Sequence, residues 1–153
     1  MGDRPLPIEP GERLDYLLSR KSLQLATLDP DGAPHLATMW FGVLDGEIVM
    51  WTQRTSVKAR NLRNDPRVAC LVDSGEDYGS LKGLSVTGRA ELVEHDEGML
   101  RIGEAIVSRN FPEPGRPDYR EMALSGARVG IVVHADRWAS WDFARSAARR
   151  TAG

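Results

Sequence analysis

A chain of 153 residues that is 41% hydrophobic and 27% charged, with a formal net charge of -2, has apolar content for one core and little for a second. The slightly negative charge argues against a nucleic-acid surface, no stretch reaches the roughly eighteen apolar residues of a membrane span, and one cysteine, Cys70, excludes an internal disulfide. Residues 1–5 lack the apolar segment of a signal peptide, so a cytoplasmic location is expected. His35, His95 and His134 show no metal-ligand spacing, and no protein metal site is expected.

After a Pro-rich start, residues 12–20 put Leu14, Leu17 and Leu18 on one helical face, which predicts a short amphipathic helix laid on the core as a lid or plug. From Ser22 the period becomes that of a strand: Leu23, Leu25 and Thr27 alternate with Gln24, Ala26 and Leu28, and Asp29-Pro30-Asp31-Gly32 supplies a turn. A strand over 33–43 then turns at Asp45-Gly46, a strong hairpin signal, into a strand over 47–53. Three antiparallel strands in sequence order are expected.

Residues 54–67 hold five cations and one acid. Their pattern predicts a short helix opened by Thr55 or Ser56 and stopped before Pro66. Lys58 falls in its first turn, where the helix dipole disfavours a cation and where a capping box would place Glu or Gln. A bound phosphate reverses that preference, because helix starts are natural anion sites. The plain alternative is a solvated basic face.

A strand over 67–73 follows, with Cys70 expected as a buried small hydrophobe, then a loop over 74–80 containing Tyr78. Leu84, Val86, Gly88, Ala90 and Leu92 alternate with Ser85, Thr87, Arg89 and Glu91 as a long half-buried strand. Residues 95–110 return to helical spacing through Met99, Ile102, Ile106 and Val107; Pro112, Pro114 and Pro117 then interrupt the chain before a short helix over 119–124. The last strand is expected over 129–134. The predicted class is mainly β, a six-stranded antiparallel split barrel with peripheral helices over residues 1–143, followed by a frayed basic tail over 144–153.

These pieces in this order resemble the FMN-binding split-barrel superfamily of pyridoxamine 5′-phosphate oxidase and its relatives. The likeness is carried by residues 25–35 of the first hairpin, Trp40-Phe41, Trp51-Thr52, the run from Ser56 through Leu62, Asp65-Pro66-Arg67-Val68, and residues 138–142. The Lys-x-Arg-Asn-Leu-x-x-Asp-Pro-Arg run is most similar to the branch that uses the deazaflavin coenzyme F420, with FMN as the alternative. The basic C-terminal signature of the B6 oxidase itself has no counterpart after Asp142, which speaks against vitamin B6 oxidation.

The resemblance implies an obligate homodimer with two cofactor sites, each built from both subunits. It implies that Thr52, Gln53, Thr55 and Ser56 meet the cofactor's ribityl and phosphate end, that Lys58 and Arg60 neutralise the phosphate, and that Trp51 belongs to the cofactor-binding set. Lys58 is the stronger candidate, since i, i+2 residues do not share a helix face. His35, Thr38 and Met39 are candidates for the ring end, with His35 and Met39 on one face of their strand and Trp40 on the other. Tyr78 and Trp138 complete the set. The expected activity is hydride transfer from reduced F420 to an unsaturated small organic acceptor, such as an enone, a quinone or a tetrapyrrole. Three alternatives stand beside it: an FMN enzyme of the same fold, a non-enzymatic F420, flavin or haem carrier or sensor, and a module that has lost its ligand. The chain shows no Ser-His-Asp set, no suggestive carboxylate pair and no Gly-rich dinucleotide fingerprint.

Overall fold

The fold is that of a computed structural model, which describes residues 4–153; residues 1–3, part of the segment read for a signal peptide, lie outside the described residues. A 3-10 turn, Pro10–Glu12, leads into α1 (Arg13–Leu18), followed by β1 (Ser22–Leu28), β2 (Pro34–Trp40), β3 (Gly42–Leu44), β4 (Glu47–Gln53) and α2 (Val57–Asn64). Then come β5 (Arg67–Ser74), a 3-10 turn at Tyr78–Ser80, β6 (Lys82–Val93), α3 (Asp96–Asn110), α4 (Tyr119–Leu124), β7 (Arg128–Asp142) and α5 (Phe143–Thr151).

All pairings are antiparallel, in the order β2-β1-β5-β6-β7-β4-β3. The two edge strands, β2 and β3, are consecutive in the chain and separated by Phe41 alone. The sheet therefore curls until its edges meet, which makes it a split barrel. Seven strands replace the expected six because the strand predicted over 33–43 parts at Phe41. The Phe41 ring is fully buried beneath the Arg109 guanidinium at 4.6 Å. Its carbonyl accepts from Arg109 Nη1 at 2.6 Å and Asn110 Nδ2 at 3.0 Å, so this acceptor is committed to α3. β2 consequently stays with β1 while β3 pairs with β4, and the expected run of three neighbouring strands is corrected. The Asp45-Gly46 hairpin forms as read, with φ of 52° and 78° as a primed turn demands.

The last strand is also longer than the expected 129–134. The polar stretch from His134 to Arg137 breaks the apolar pattern, yet a bulge lets the strand continue: Thr87 faces Arg137 while Gly88 faces Ala135, leaving Asp136 as the extra residue. A side chain at Gly88 would start 2.0 Å from the His134 carbonyl oxygen, so the bulge requires glycine. The inner face gathers Leu25, Met50, Cys70, Val86 and Ile131 into the main core, and burial pushes the Cys70 thiol up to about 12. A second cluster, Val49, Val93, Ile102 and Ile106, seats α3 on the outer side of β4, β6 and β7.

Two terminal elements differ from expectation. In α1 it is Tyr16 and Leu17 that are buried, while Leu14 and Leu18 remain about half exposed. Residues 144–153, expected to fray, instead carry α5. Ser146 Oγ accepts from the Leu6 N–H at 2.7 Å and donates to the Asp142 carbonyl, and Arg145 pairs with Glu9 and Glu12 at 3.2 Å each. No helix among the described residues is long and apolar enough to cross a membrane.

His134, on the outer face of β7, lies 2.6 Å from Glu47 on β4 and 2.7 Å from Glu91 on β6. Hydrogen bonds donated to Glu91 and to Glu47 raise its pKa, so the cross-strand clip contributes in full below about pH 6.5 and is lost as pH rises through the raised folded value. Thermal melts from pH 5 to pH 9 should show wild type losing an increment that His134→Ala lacks at every pH. Parallel pH profiles for the two proteins would remove the clip from the account.

Candidate functional site

Ser56, and not Thr55, caps α2. Its Oγ accepts from the Ala59 N–H at 3.2 Å and bonds with Thr52 Oγ1 at 3.1 Å. The Arg60 N–H is the first to reach back to the Ser56 carbonyl. The N–H groups of Val57 and Lys58 thus belong to the open first turn, with no intrahelical acceptor. No acid occupies that turn.

The five cations of the run separate into two groups. Arg54 pairs with Glu94 at 2.6 Å, Arg63 donates to the Arg54 carbonyl and lies 3.9 Å from the same Glu94, and Arg67 grips Asp65 at 2.7 Å. Hydrogen bonds from Arg67 hold the Asp65 carboxyl down to about 2. Among the described residues the side chains of Lys58 and Arg60 make no ion pair or hydrogen bond, and Lys58 is half-buried. A partnerless ammonium near open backbone donors is an arrangement that can accept an anion.

The buried side of α2 fixes the corner in place. Ala59, Asn61 and Leu62 are buried, and Asn61 Nδ2 donates to Thr27 Oγ1 at 3.1 Å and to Asp29 Oδ1 at 3.0 Å, tying the helix to the β1–β2 hairpin. His35 pairs in register with that same Thr27, and its Nδ1 is shielded without a partner. The structure therefore brings together Thr52, Gln53, Thr55, Ser56, Lys58 and Arg60, with His35 across Thr27 from the helix.

Other candidates lie elsewhere in the protomer. Thr38 is on the opposite face of β2 from His35 and bonds to Gln24 at 2.9 Å, and Met39 packs against the main core. Trp51 faces α3, where a Cβ on Gly103 would stand 2.7 Å from its ring, and Arg128 lies over it at 5.4 Å. Tyr78, 77% exposed, meets the Phe143 ring edge-on at 4.9 Å, at the other end of β5 from α2. Trp138 sits within the second half of β7, with the Arg13 guanidinium 5.6 Å from its ring.

Sequence reasoning did not single out Asn61, although an Asn at i+3 from Lys58 in a basic helix was the available signal. It also missed a cavity of about 410 Å³ on the outer face of β1, β5, β6 and β7, lined by Ala26, Leu28, Ala69, Thr87, Arg67, Arg89 and Asp136 among others. That cavity depends on strand order and had no local signature. Among the described residues no group of three or more His, Cys, Asp or Glu is placed to hold a metal ion.

The molecule is thus a curled antiparallel split barrel with a basic helix at one corner. The family described as pyridoxamine 5′-phosphate oxidase matches residues 10–142, and the chain belongs to that family. Among solved structures, the conserved hypothetical protein Rv2991 from Mycobacterium tuberculosis is 37% identical, covering 96% of this chain and 92% of its own, with a TM-score of 0.85. An F420 reductase is 29% identical over 82% of this chain and 94% of its own, with a TM-score of 0.61. The haem storage protein HutZ from Vibrio cholerae shares the fold at 20% identity, with a TM-score of 0.66 over 90% of this chain and 95% of its own. No curated protein matches the sequence.

Asn61→Ala removes both bonds to the β1–β2 hairpin and leaves Thr27 and Asp29 without their buried donor. Urea unfolding should show a loss of about 1–3 kcal/mol. A loss below about 0.5 kcal/mol would mean that α2 is held by its apolar contacts alone.

Proposed function

We propose that this chain is a homodimeric oxidoreductase that binds coenzyme F420 and passes a hydride from its reduced form to an unsaturated small organic molecule. The observation that carries the reading is the α2 corner, where Lys58 stands half-buried and unpaired beside first-turn amides with no acid in reach. The likeness to an F420 reductase over most of both chains supports the choice of deazaflavin.

The bound cofactor would supply the hydride chemistry, and the chain supplies binding, orientation and exclusion of water. Lys58 and the Val57 and Lys58 N–H groups hold the phosphate, with Arg60 at its outer edge. Thr52, Gln53 and Thr55 offer hydroxyl and amide partners to the ribityl chain, and Ser56 fixes the helix start. His35, with its unpartnered Nδ1, is placed toward the ring end. Tyr78 and Trp138 lie elsewhere along the barrel, against Phe143 and Arg13, and in the proposed homodimer they would come from the second copy. FMN is the second reading, because it presents a ribityl phosphate of the same form to the same corner.

Fluorescence titrations of F420 and of FMN on wild type and Lys58→Ala test this directly. F420 should bind more tightly than FMN, and Lys58→Ala should weaken it about ten-fold or more, the effect of losing one charge-assisted phosphate contact. FMN binding the tighter would move the assignment to the flavin. Affinity unchanged in Lys58→Ala would remove the corner from the site. Reduced F420 that binds but is consumed by no acceptor would support a carrier or sensor.

A further inference from the structure

The outer face of the sheet carries a feature that the phosphate corner does not explain. Arg67 on β5 stands directly opposite Arg89 on β6, both exposed. Like charges at a cross-strand pair are destabilising unless something lies between or beside them. Asp65 pairs with Arg67 and its charge also reaches Arg89, but Arg89 itself makes no ion pair or hydrogen bond among the described residues. Two residues back along β6, Thr87 faces Arg137 on β7, which is likewise exposed and without an ion pair or hydrogen bond among them.

These arginines flank adjoining cavities. The one of about 410 Å³ has an apolar floor that includes Ala26, Leu28, Pro34 and Ala69, with Arg67 and Arg89 at its edge. The second, about 200 Å³, is lined by Ser85, Thr87, Arg137 and Ala139, so Thr87 is common to both. Together they form a trough of the size of small-molecule sites, roughly 300–1,000 Å³. Its one lining carboxylate is Asp136, the bulge residue of β7, which directs an anion toward the β5–β6 side.

We propose that this trough binds an organic carboxylate, with the flat apolar body on the alanine and leucine floor and the carboxylate on Arg89, flanked by Arg67 and Arg137. A planar guanidinium fork matches a carboxylate in two parallel hydrogen bonds, and small side chains beneath it let a ring lie close to the sheet. Calling this molecule the hydride acceptor rests on the oxidoreductase reading; its binding does not. The acceptor class is then an unsaturated acid and not a neutral enone or quinone.

Calorimetric titration of the full chain with 2-naphthoate and its neutral isostere 2-naphthamide tests the proposal without cofactor. Naphthoate should bind once per chain and at least about ten-fold more tightly than naphthamide. Arg89→Gln should bring naphthoate down to the level of naphthamide, Thr87→Trp should abolish both by filling the shared floor, and Lys58→Ala should leave both unchanged. Circular-dichroism melts establish that the variants fold, and if Thr87→Trp does not, the Arg89→Gln arm decides alone. No naphthoate binding, equal affinity for the two compounds, naphthoate affinity undiminished in Arg89→Gln, or weakening by Lys58→Ala would each overturn it. Failure of the cofactor reading shows separately, as wild type that takes up naphthoate but neither F420 nor FMN.

Discussion

The Phe41 carbonyl is the acceptor on which the architecture turns. By accepting from Arg109 and Asn110 at the end of α3, it takes one residue out of a strand and lets the two halves go to opposite edges of the sheet. Arg109 also donates to the carbonyls of Leu17, Leu18 and Arg20 after α1, so one guanidinium holds together the barrel seam, the first helix and the third. Burial of the guanidinium lowers its pKa, but four carbonyls satisfy its donors, which is the condition under which a half-buried cation is tolerated. Closure of the sheet at this seam is what brings β1, β4 and β6 around α2.

At that end of the barrel, local stability is given up in a consistent direction. A cation in the first turn of a helix is unfavourable by about 0.3–1 kcal/mol, and α2 has Lys58 there with no acid to offset it. The helix is held instead from its buried side, by Ala59, Leu62 and the Asn61 bonds to Thr27 and Asp29. Arg54, Arg63 and Arg67 show that acids were available nearby for cations that serve the fold. Lys58 and Arg60 have no such partner among the described residues, and the proposed function assigns them to the cofactor phosphate. The bare face of β1, β5, β6 and β7 continues the same logic, with Arg89 and Arg137 standing over small apolar residues.

Much of this was legible in the amino-acid order wherever the signal was local. The alternation in β1 and β6, the primed turn at Asp45-Gly46, the Met99 to Val107 face of α3 and the cap of α2 each rest on residues within a few positions of one another. What could not be read depended on distant partners. The break at Phe41 needs Arg109 and Asn110, the helix at Phe143–Thr151 needs Leu6, Glu9 and Glu12, and the length of β7 needs a glycine on the neighbouring strand. The same division runs through the site. The corner from Thr52 to Lys58 is contiguous, so its place at the junction of β4 and α2 was readable from spacing and family likeness. Trp51 shares the contiguous stretch but alternates to the α3 side, and Tyr78 and Trp138 lie elsewhere along the barrel.

The most direct test is a crystal structure of the protein with F420 or FMN bound. The account predicts the cofactor phosphate at the N-terminus of α2, within hydrogen-bond distance of Lys58 Nζ and the Val57 and Lys58 N–H groups, with the ring extending toward His35. A cofactor bound elsewhere with that corner empty, or Lys58 engaged by a carboxylate of the second subunit, would contradict it.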